Sequence, residues 1–291
     1  MKDLGKLKYF LGLEVAREPE GMFVSQRKYA LDTIAECGLL GAKPSPVPTE
    51  QNQKLALAKG PLLTDPGKYR RLVRRLIYLT FTRPELNYIV HLLSQFMQKP
   101  LEEHWVAALC VVRYLKGCPD QGIMLSSRAD LTLTAYCDSD WSACPLTRRS
   151  MSAYIVQLGD SLVSWKTKKQ KTVSRSSAEA EYRSMADATC ELKWLERLLQ
   201  HFGFSHQKPM RLFCDSQSAL RIAKNPVFHE RTKHVENDCH TVRDAVQSKL
   251  ITTEHISTKH QPADLLTKAL PAPQFKFLLS KLGIQQMFLP T

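Results

Sequence analysis

The sequence predicts an α/β protein in which a mixed five-stranded sheet is flanked by helices and preceded by a small helical subdomain. Three observations carry this. From residue 129 onward, short apolar or alternating runs take turns with helical patterns. Two of those runs, in "SMSAYIVQLGDSLVSWKTKK", are joined by a tight Gly-Asp pair, which signals a hairpin. Upstream, three helical patterns follow one another across short turns marked by proline.

Residues 7 to 16, "LKYFLGLEVA", are expected to form a strand with its glycine at a kink or close approach. "SQRKYALDTIAECGLL" (25 to 40) predicts a short helix from Ser25, with Gly38 just past its end. A polar, proline-rich linker, "GAKPSPVPTEQNQKLA", follows. "DPGKYRRLVRRLIYLT" opens on Asp-Pro, a helix start, and sets Tyr69, Leu72, Val73, Leu76, Ile77 and Leu79 along one face. Arg70, Arg71, Arg74 and Arg75 lie on the polar side, as phosphate contacts or as a solvated face. Pro84 and Pro100 begin two further helices, and the second ends on Lys116-Gly117.

In the second half, "DLTLTAYCDSD" alternates as a strand should, and the hairpin follows it. "SRSSAEAEYRSMADATCELKWLERLLQHFGF" predicts a long helix. Ser176 and Glu179 form its capping box, and Tyr182, Met185, Thr189, Leu192, Leu195, Leu199 and Phe202 trace its buried face. "MRLFCDSQSALRIAKN" is a strand and then a helix; "HVENDCHTVRDAVQSK" is a helix, "LITTEHIS" a strand, and "PADLLTKAL" a last helix from Pro262.

The chain has 291 residues, 43% of them hydrophobic, which supports a packed core. Its net charge is +13. Residues 1–128 hold 19 Lys+Arg against 12 Asp+Glu, and residues 129–291 hold 22 against 16, so the excess is spread along the chain. A distributed positive field suits a polyanion, nucleic acid first. The eight cysteines are scattered without a Cys-x-x-Cys, as expected of buried thiols in a reducing compartment. The absence of a secretory leader pattern or an 18-residue apolar run predicts an intracellular protein, cytoplasmic or nuclear, with no membrane partner.

Four acids stand at element ends. Asp138 ends a strand, Glu181 is one turn into the long helix, Asp215 ends "RLFCD", and Asp264 is in the first turn of the last helix. Such positions on one side of an α/β sheet are where sites are built. Singly, each acid has a plain structural role open to it: turn former, surface residue, helix cap or dipole partner. Together, four converging carboxylates need a cation, and hard oxygen donors suit Mg²⁺. A pair of such ions about 4 Å apart supports in-line displacement at phosphorus. Asp138 and Asp140 share strand parity, so alternation does not choose between them.

The segments "YCDSDW", "RRSMSAYIVQLG", "LVSWKTKKQKTVSRSSAEAEYRSM", "CDSQSALRIAKNPVFHERTKHVE" and "TKHQPADLLTKAL" resemble the ribonuclease H domain of copia-type retrotransposon Pol polyproteins. "MKDLGKLKYFLGLEV", "YRRLVRRLIYLTFTRPEL", "LSQFMQKP" and "RYLKG" resemble the end of the same Pol's reverse transcriptase. The resemblance implies a ribonuclease H-like sheet over 129–271, a palm remnant with the primer-grip region over 1–46, a thumb- or connection-like helical subdomain over 47–128, and a tail over 272–291. It implies Asp138, Glu181, Asp215 and Asp264 as catalytic metal ligands for two Mg²⁺, with Mn²⁺ as a substitute. The expected reaction is hydrolysis of the RNA strand of an RNA–DNA hybrid during reverse transcription, alongside the rest of a Pol polyprotein.

Arg149, Lys169, Arg175, Ser176, Ser177 and His260 are the expected nucleic-acid contacts. The polymerase's own Asp pair belongs upstream of "MKDLG", so no polymerase active site is expected in this sequence. Ala153 and Arg74 stand where the family usually has glycine. The cluster His229, His234, Cys239 and His240 matches no zinc-ligand spacing, so packing or substrate contact is expected of it. Two rival readings are an inactive nucleic-acid-binding fragment of a degenerate Pol, and an integrase. The second needs its Glu last in chain order, whereas here Glu181 is second.

Overall fold

The computed structural model describes residues 5–51, 53–128, 130–204, 208–224 and 236–286. Residues 1–128 with 269–291 form one compact unit and residues 129–268 a second.

In the first unit the expected single strand at 7–16 is a hairpin. Strands β1 (Tyr9–Phe10) and β2 (Leu13–Glu18) are joined by Leu11 and Gly12, both at positive φ (49° and 77°). Two consecutive positive φ values make the two-residue turn that matches strand twist, so the glycine closes a turn and does not kink a strand. Strand β3 (Gly21–Ser25) pairs with β2, and β4 (Gln121–Ser126) pairs with β3 in an antiparallel sheet.

Helix α1 (Arg27–Glu36) is shorter than expected, with Gly38 at φ +67° beyond its end. Helix α2 (Pro66–Leu79) starts where Asp65 accepts from the main-chain N–H groups of Gly67 and Lys68 at 2.8 and 3.1 Å. Its buried face is Tyr69, Leu72, Val73, Leu76 and Leu79; Ile77 is exposed, one position off the stripe. Of its arginines, Arg75 pairs with Glu36 and lies over the Tyr29 ring, and Arg71 is 3.8 Å from Asp65. A short 3-10 turn at Pro84–Leu86 leads into α3 (Asn87–Ser94), and α4 (Glu102–Gly117) follows. The segment expected as a tail carries structure: Pro271 leads into a helix at Ala272–Leu279, and a strand at Ile284–Gln286 pairs with β4.

The second unit holds β5 (Leu133–Asp140), β6 (Met151–Leu158), β7 (Ser161–Lys169), α5 (Ser177–His201), β8 (Met210–Cys214), α6 (Gln217–Lys224), α7 (Glu236–Gln247) and β9 (Ile251–His255). Its strand order is β7-β6-β5-β8-β9. The hairpin strands are antiparallel to β5 and to each other, while β8 and β9 run parallel to β5. This is the mixed sheet the sequence predicts, with β5 central. Helix α5 packs on β5 and β6 through Tyr182, Met185, Ala188 and Leu192; Phe202 at its end is exposed. Leu133, Ala135 and Cys137 of β5 and Met210, Leu212 and Cys214 of β8 face the same core. The last predicted helix is instead a 3-10 run, Pro262–Leu266. Gln261 caps it by accepting from the N–H of Ala263, and the segment lies against β5 and β6.

Candidate metal centre

β5 brings Asp138 to the site, and the turn after β8 brings Asp215. The 3-10 run after β9 brings Asp264, and the first turns of α5 bring Glu181. Carboxylate oxygens of Asp138, Asp215 and Asp264 lie within 4.8 Å of one another. Glu181 forms a second group of the same kind with Asp215 and Cys214. The four acids expected together are therefore two groups sharing Asp215. Asp138, Glu181 and Asp264 are buried and Asp215 is partly exposed.

Each carboxylate is held by named partners. Thr267 Oγ1 donates to Asp138 Oδ2, and Thr258 Oγ1 donates to Asp215 Oδ2 at 2.8 Å. The N–H of Ser139 donates to Glu181 Oε1 at 3.3 Å, and the Cys214 thiol lies 3.8 Å from Glu181 Oε2. Lys268 Nζ is 3.2 Å from Asp138 Oδ1 and 2.9 Å from Asp264 Oδ1. The backbone is tied as well. Ser184 Oγ donates to the carbonyl of Asp138 at 2.8 Å, and Gln261 Nε2 donates to that of Cys137 at 2.9 Å, fixing the Asp264 segment against β5.

Burial sets the electrostatics. Burial, and then the charge of Asp138, push the Glu181 carboxyl up to about 11 and the Asp264 carboxyl up to about 7. Lys268 is shifted upward, because the attraction of Asp138 and Asp264 outweighs its desolvation. Burial raises Asp140 too, with Asp138 adding to it and Lys268 opposing.

The neighbouring basic loop is anchored by Gln170, which is buried. Its Nε2 donates to Ser152 Oγ at 2.7 Å and to the carbonyl of Ala180 at 3.0 Å, and its Oε1 accepts from Ser174 Oγ at 2.6 Å. This links the loop to the residue before Glu181. Arg149, Arg175, Ser176, Ser177 and His260 are exposed and Lys169 is half-buried. Ser176 Oγ accepts from the N–H of Glu179 at 3.2 Å, and Glu179 Oε2 accepts from the N–H of Arg175 at 2.8 Å. The capping pair thus reaches one residue further back than in an ordinary capping box. His260 Nδ1 lies 3.3 Å from Ser257 Oγ.

Of the His/Cys cluster, His229 and His234 lie outside the described residues. Cys239 is in the core and His240 is exposed. No cysteine is disulfide-bonded; Cys110, Cys118, Cys137, Cys214 and Cys239 are buried as expected, whereas Cys190 is exposed and Cys37 and Cys144 are partly so. Lys268, Thr267, Thr258 and Gln170 were not expected as site residues; only the short spacing of Lys268 from Asp264, i to i+4, hinted at a contact.

No protein-family model matches the chain. Among curated proteins, it is 44% identical over 287 residues to the retrovirus-related Pol polyprotein from transposon RE1 of Arabidopsis thaliana, covering 99% of this chain and 20% of that protein. It is 45% identical over 284 residues to the corresponding polyprotein from transposon RE2 of the same plant, covering 98% and 20%. The chain belongs to the copia-type retrovirus-related Pol polyproteins. It spans about a fifth of the length of these Pol relatives. The second unit of this Pol chain is a five-stranded mixed α/β sheet. One solved structure it is similar to is LC11-RNase H1 in complex with an RNA/DNA hybrid, at 12% identity and a TM-score of 0.37, covering 47% of this chain and 94% of that one. Among the described residues, no helix is long and apolar enough to cross a membrane.

Proposed function

We propose that this Pol chain is a metal-dependent endonuclease that hydrolyses the RNA strand of RNA–DNA hybrids during retrotransposon reverse transcription. The observation that carries the reading is the group of Asp138 in β5, Asp215 just after β8 and Asp264 in the 3-10 run, whose oxygens lie within 4.8 Å of one another. The donor set fits Mg²⁺ or Mn²⁺: it is all hard carboxylate oxygen, and an ammonium already sits against two of the three acids. Asp138, Asp215 and Asp264 would hold the metal, with Glu181 joining through Asp215. Bound there, two such ions supply an activated water and charge stabilisation for the leaving 3′ oxygen.

The chain's own residues do the rest. Thr267 and Thr258 orient Asp138 and Asp215, leaving less freedom to be lost when a ligand binds. Arg149, Lys169 and Arg175 supply positive charge along the sugar-phosphate backbone. Ser176 and Ser177 offer main-chain N–H groups at the start of α5, although the Ser176 hydroxyl oxygen is already engaged as a cap. His260, exposed and four residues before Asp264, would be a further contact to the nucleic acid. The RNA 2′-OH is the feature that distinguishes the cut strand. Within this reading, residues 1–46 and 47–128 are the end of a reverse-transcriptase palm and a thumb- or connection-like subdomain, acting inside the cell with the rest of a Pol polyprotein.

Hybrids labelled on either strand test this. The purified chain with Mg²⁺ is expected to cut the RNA strand of an RNA–DNA hybrid and to spare the DNA strand and both all-DNA and all-RNA duplexes. Hybrid binding without any cleavage would instead favour a non-catalytic nucleic-acid-binding chain.

A further inference from the structure

We propose that Lys268 is a tethered counter-cation that exchanges with the divalent ion. Its ammonium bridges Asp138 and Asp264 and offsets part of their charge before metal binds, and leaves when metal arrives. The inference rests on the metal site proposed above and adds a residue to it.

Lys268 Nζ lies 3.2 Å from Asp138 Oδ1 and 2.9 Å from Asp264 Oδ1. The side chains of those two acids are 1% and 5% exposed, so water screens little of their mutual repulsion. One cation bridging both offsets part of that repulsion. The remaining oxygen of Asp138 is taken by Thr267, so a metal that binds Asp138 through Oδ1 meets the ammonium at the same atom.

A carboxylate oxygen bonds Mg²⁺ at about 2.0–2.1 Å. An ammonium held about 3 Å from that same oxygen would sit next to a divalent charge, with little solvent between them. The two cations therefore exclude each other. Lysine is suited to leaving: its charge is a compact point on a flexible four-carbon stem, and its side chain here is 31% exposed, so the head has a path to water. Thr267 and Thr258, which are neutral, have no such conflict with the metal and stay in place. A plain structural ion pair would hold the fold without competing with metal. An exchanging one makes metal-free stability and metal affinity move in opposite directions when the charge is removed.

Mn²⁺ alone, titrated calorimetrically into the full chain, is the test. Lys268→Met is expected to melt at a lower temperature than wild type without metal and to bind Mn²⁺ about tenfold more tightly, the size of an ordinary coupling between two binding events. Lys268→Arg, which keeps the charge, is expected to bind no more tightly than wild type. Asp138→Asn is the control for the site itself. If Asp138→Asn abolishes binding but Lys268→Met binds equally or more weakly than wild type, the exchange is overturned and the metal site stands. If Asp138→Asn binds as wild type does, the metal site itself fails. Pulsed acylation of wild-type lysines, read by mass spectrometry, needs no variant: labelling of Lys268 should rise several-fold on Mn²⁺ saturation, and unchanged labelling would overturn the exchange.

Discussion

The main-chain N–H of Ser139 donates to Oε1 of Glu181 at 3.3 Å, joining the end of the central strand β5 to the second turn of α5. The acid is thus placed by backbone, next to Asp138. Burial and the Asp138 charge push its carboxyl up to about 11, so without metal it is protonated at neutral pH. Glu181→Gln closely mimics that neutral form. Metal-free stability should change little, while hybrid cleavage is lost. Thermal melts and cleavage rates on the same preparation check this; a large destabilisation would contradict the neutral assignment.

Thr258 holds Asp215 by a 2.8 Å hydrogen bond. Groups that orient a metal ligand typically contribute about 10–100-fold to metal affinity. Thr258→Ala should weaken Mn²⁺ binding by an amount in that range, with Thr258→Ser recovering most of it. Calorimetry on the three proteins decides, and equal affinities would show that Thr258 has no orienting role.

Metal-free stability should depend on pH through Asp264. Its carboxyl is pushed up to about 7 in the fold, by burial first and Asp138 second, against about 3.9 in an unfolded chain. Between those values the folded protein holds a proton that the unfolded chain has released. Stability is therefore greatest below about pH 4 as far as this group is concerned and falls as pH rises toward 7. Asp264→Asn should flatten that slope in denaturant titrations without metal. Because metal binds the deprotonated carboxylate, Mn²⁺ affinity of the wild type should rise over the same interval.

Much of the candidate site was legible because its acids stand at strand and helix ends, and such ends show in the alternation of "LTAYCDSD" and the cap before "AEAEYRSM". Lys268, Thr267 and Thr258 were not, since they lie on short 3-10 and irregular segments where no periodicity reveals which way a side chain faces. The first unit shows the same limit. Strands β3 and β4 pair Val24 with Ile123 across about a hundred residues, and the strand at 284–286 pairs back onto β4. Contacts that distant in sequence leave no local signature, whereas the Pro-marked helices, stabilised by caps and apolar stripes, do.

Arg83 and Glu85 give the first unit a prediction of its own. Their side chains are 1% and 0% exposed and 2.7 Å apart. Glu85 also accepts from Gln121 Nε2 at 3.1 Å, and Arg83 donates to the carbonyl of Cys118 at 2.9 Å. Arg83→Met removes one partner and leaves a buried carboxylate unpaired, which should cost about 3–5 kcal/mol. Chemical denaturation measures it; a loss below about 1 kcal/mol would show that water reaches the pair.

The most direct measurement is the Mg²⁺-dependent rate at which the full chain cuts the RNA strand of an RNA–DNA hybrid, compared with Asp138→Asn. The proposed function predicts cleavage by the wild type that chelation stops and fresh Mg²⁺ restores, with none from a folded Asp138→Asn chain. Cleavage at an equal rate by the variant, or cleavage unaffected by chelation, would contradict the assignment of Asp138 to a catalytic metal.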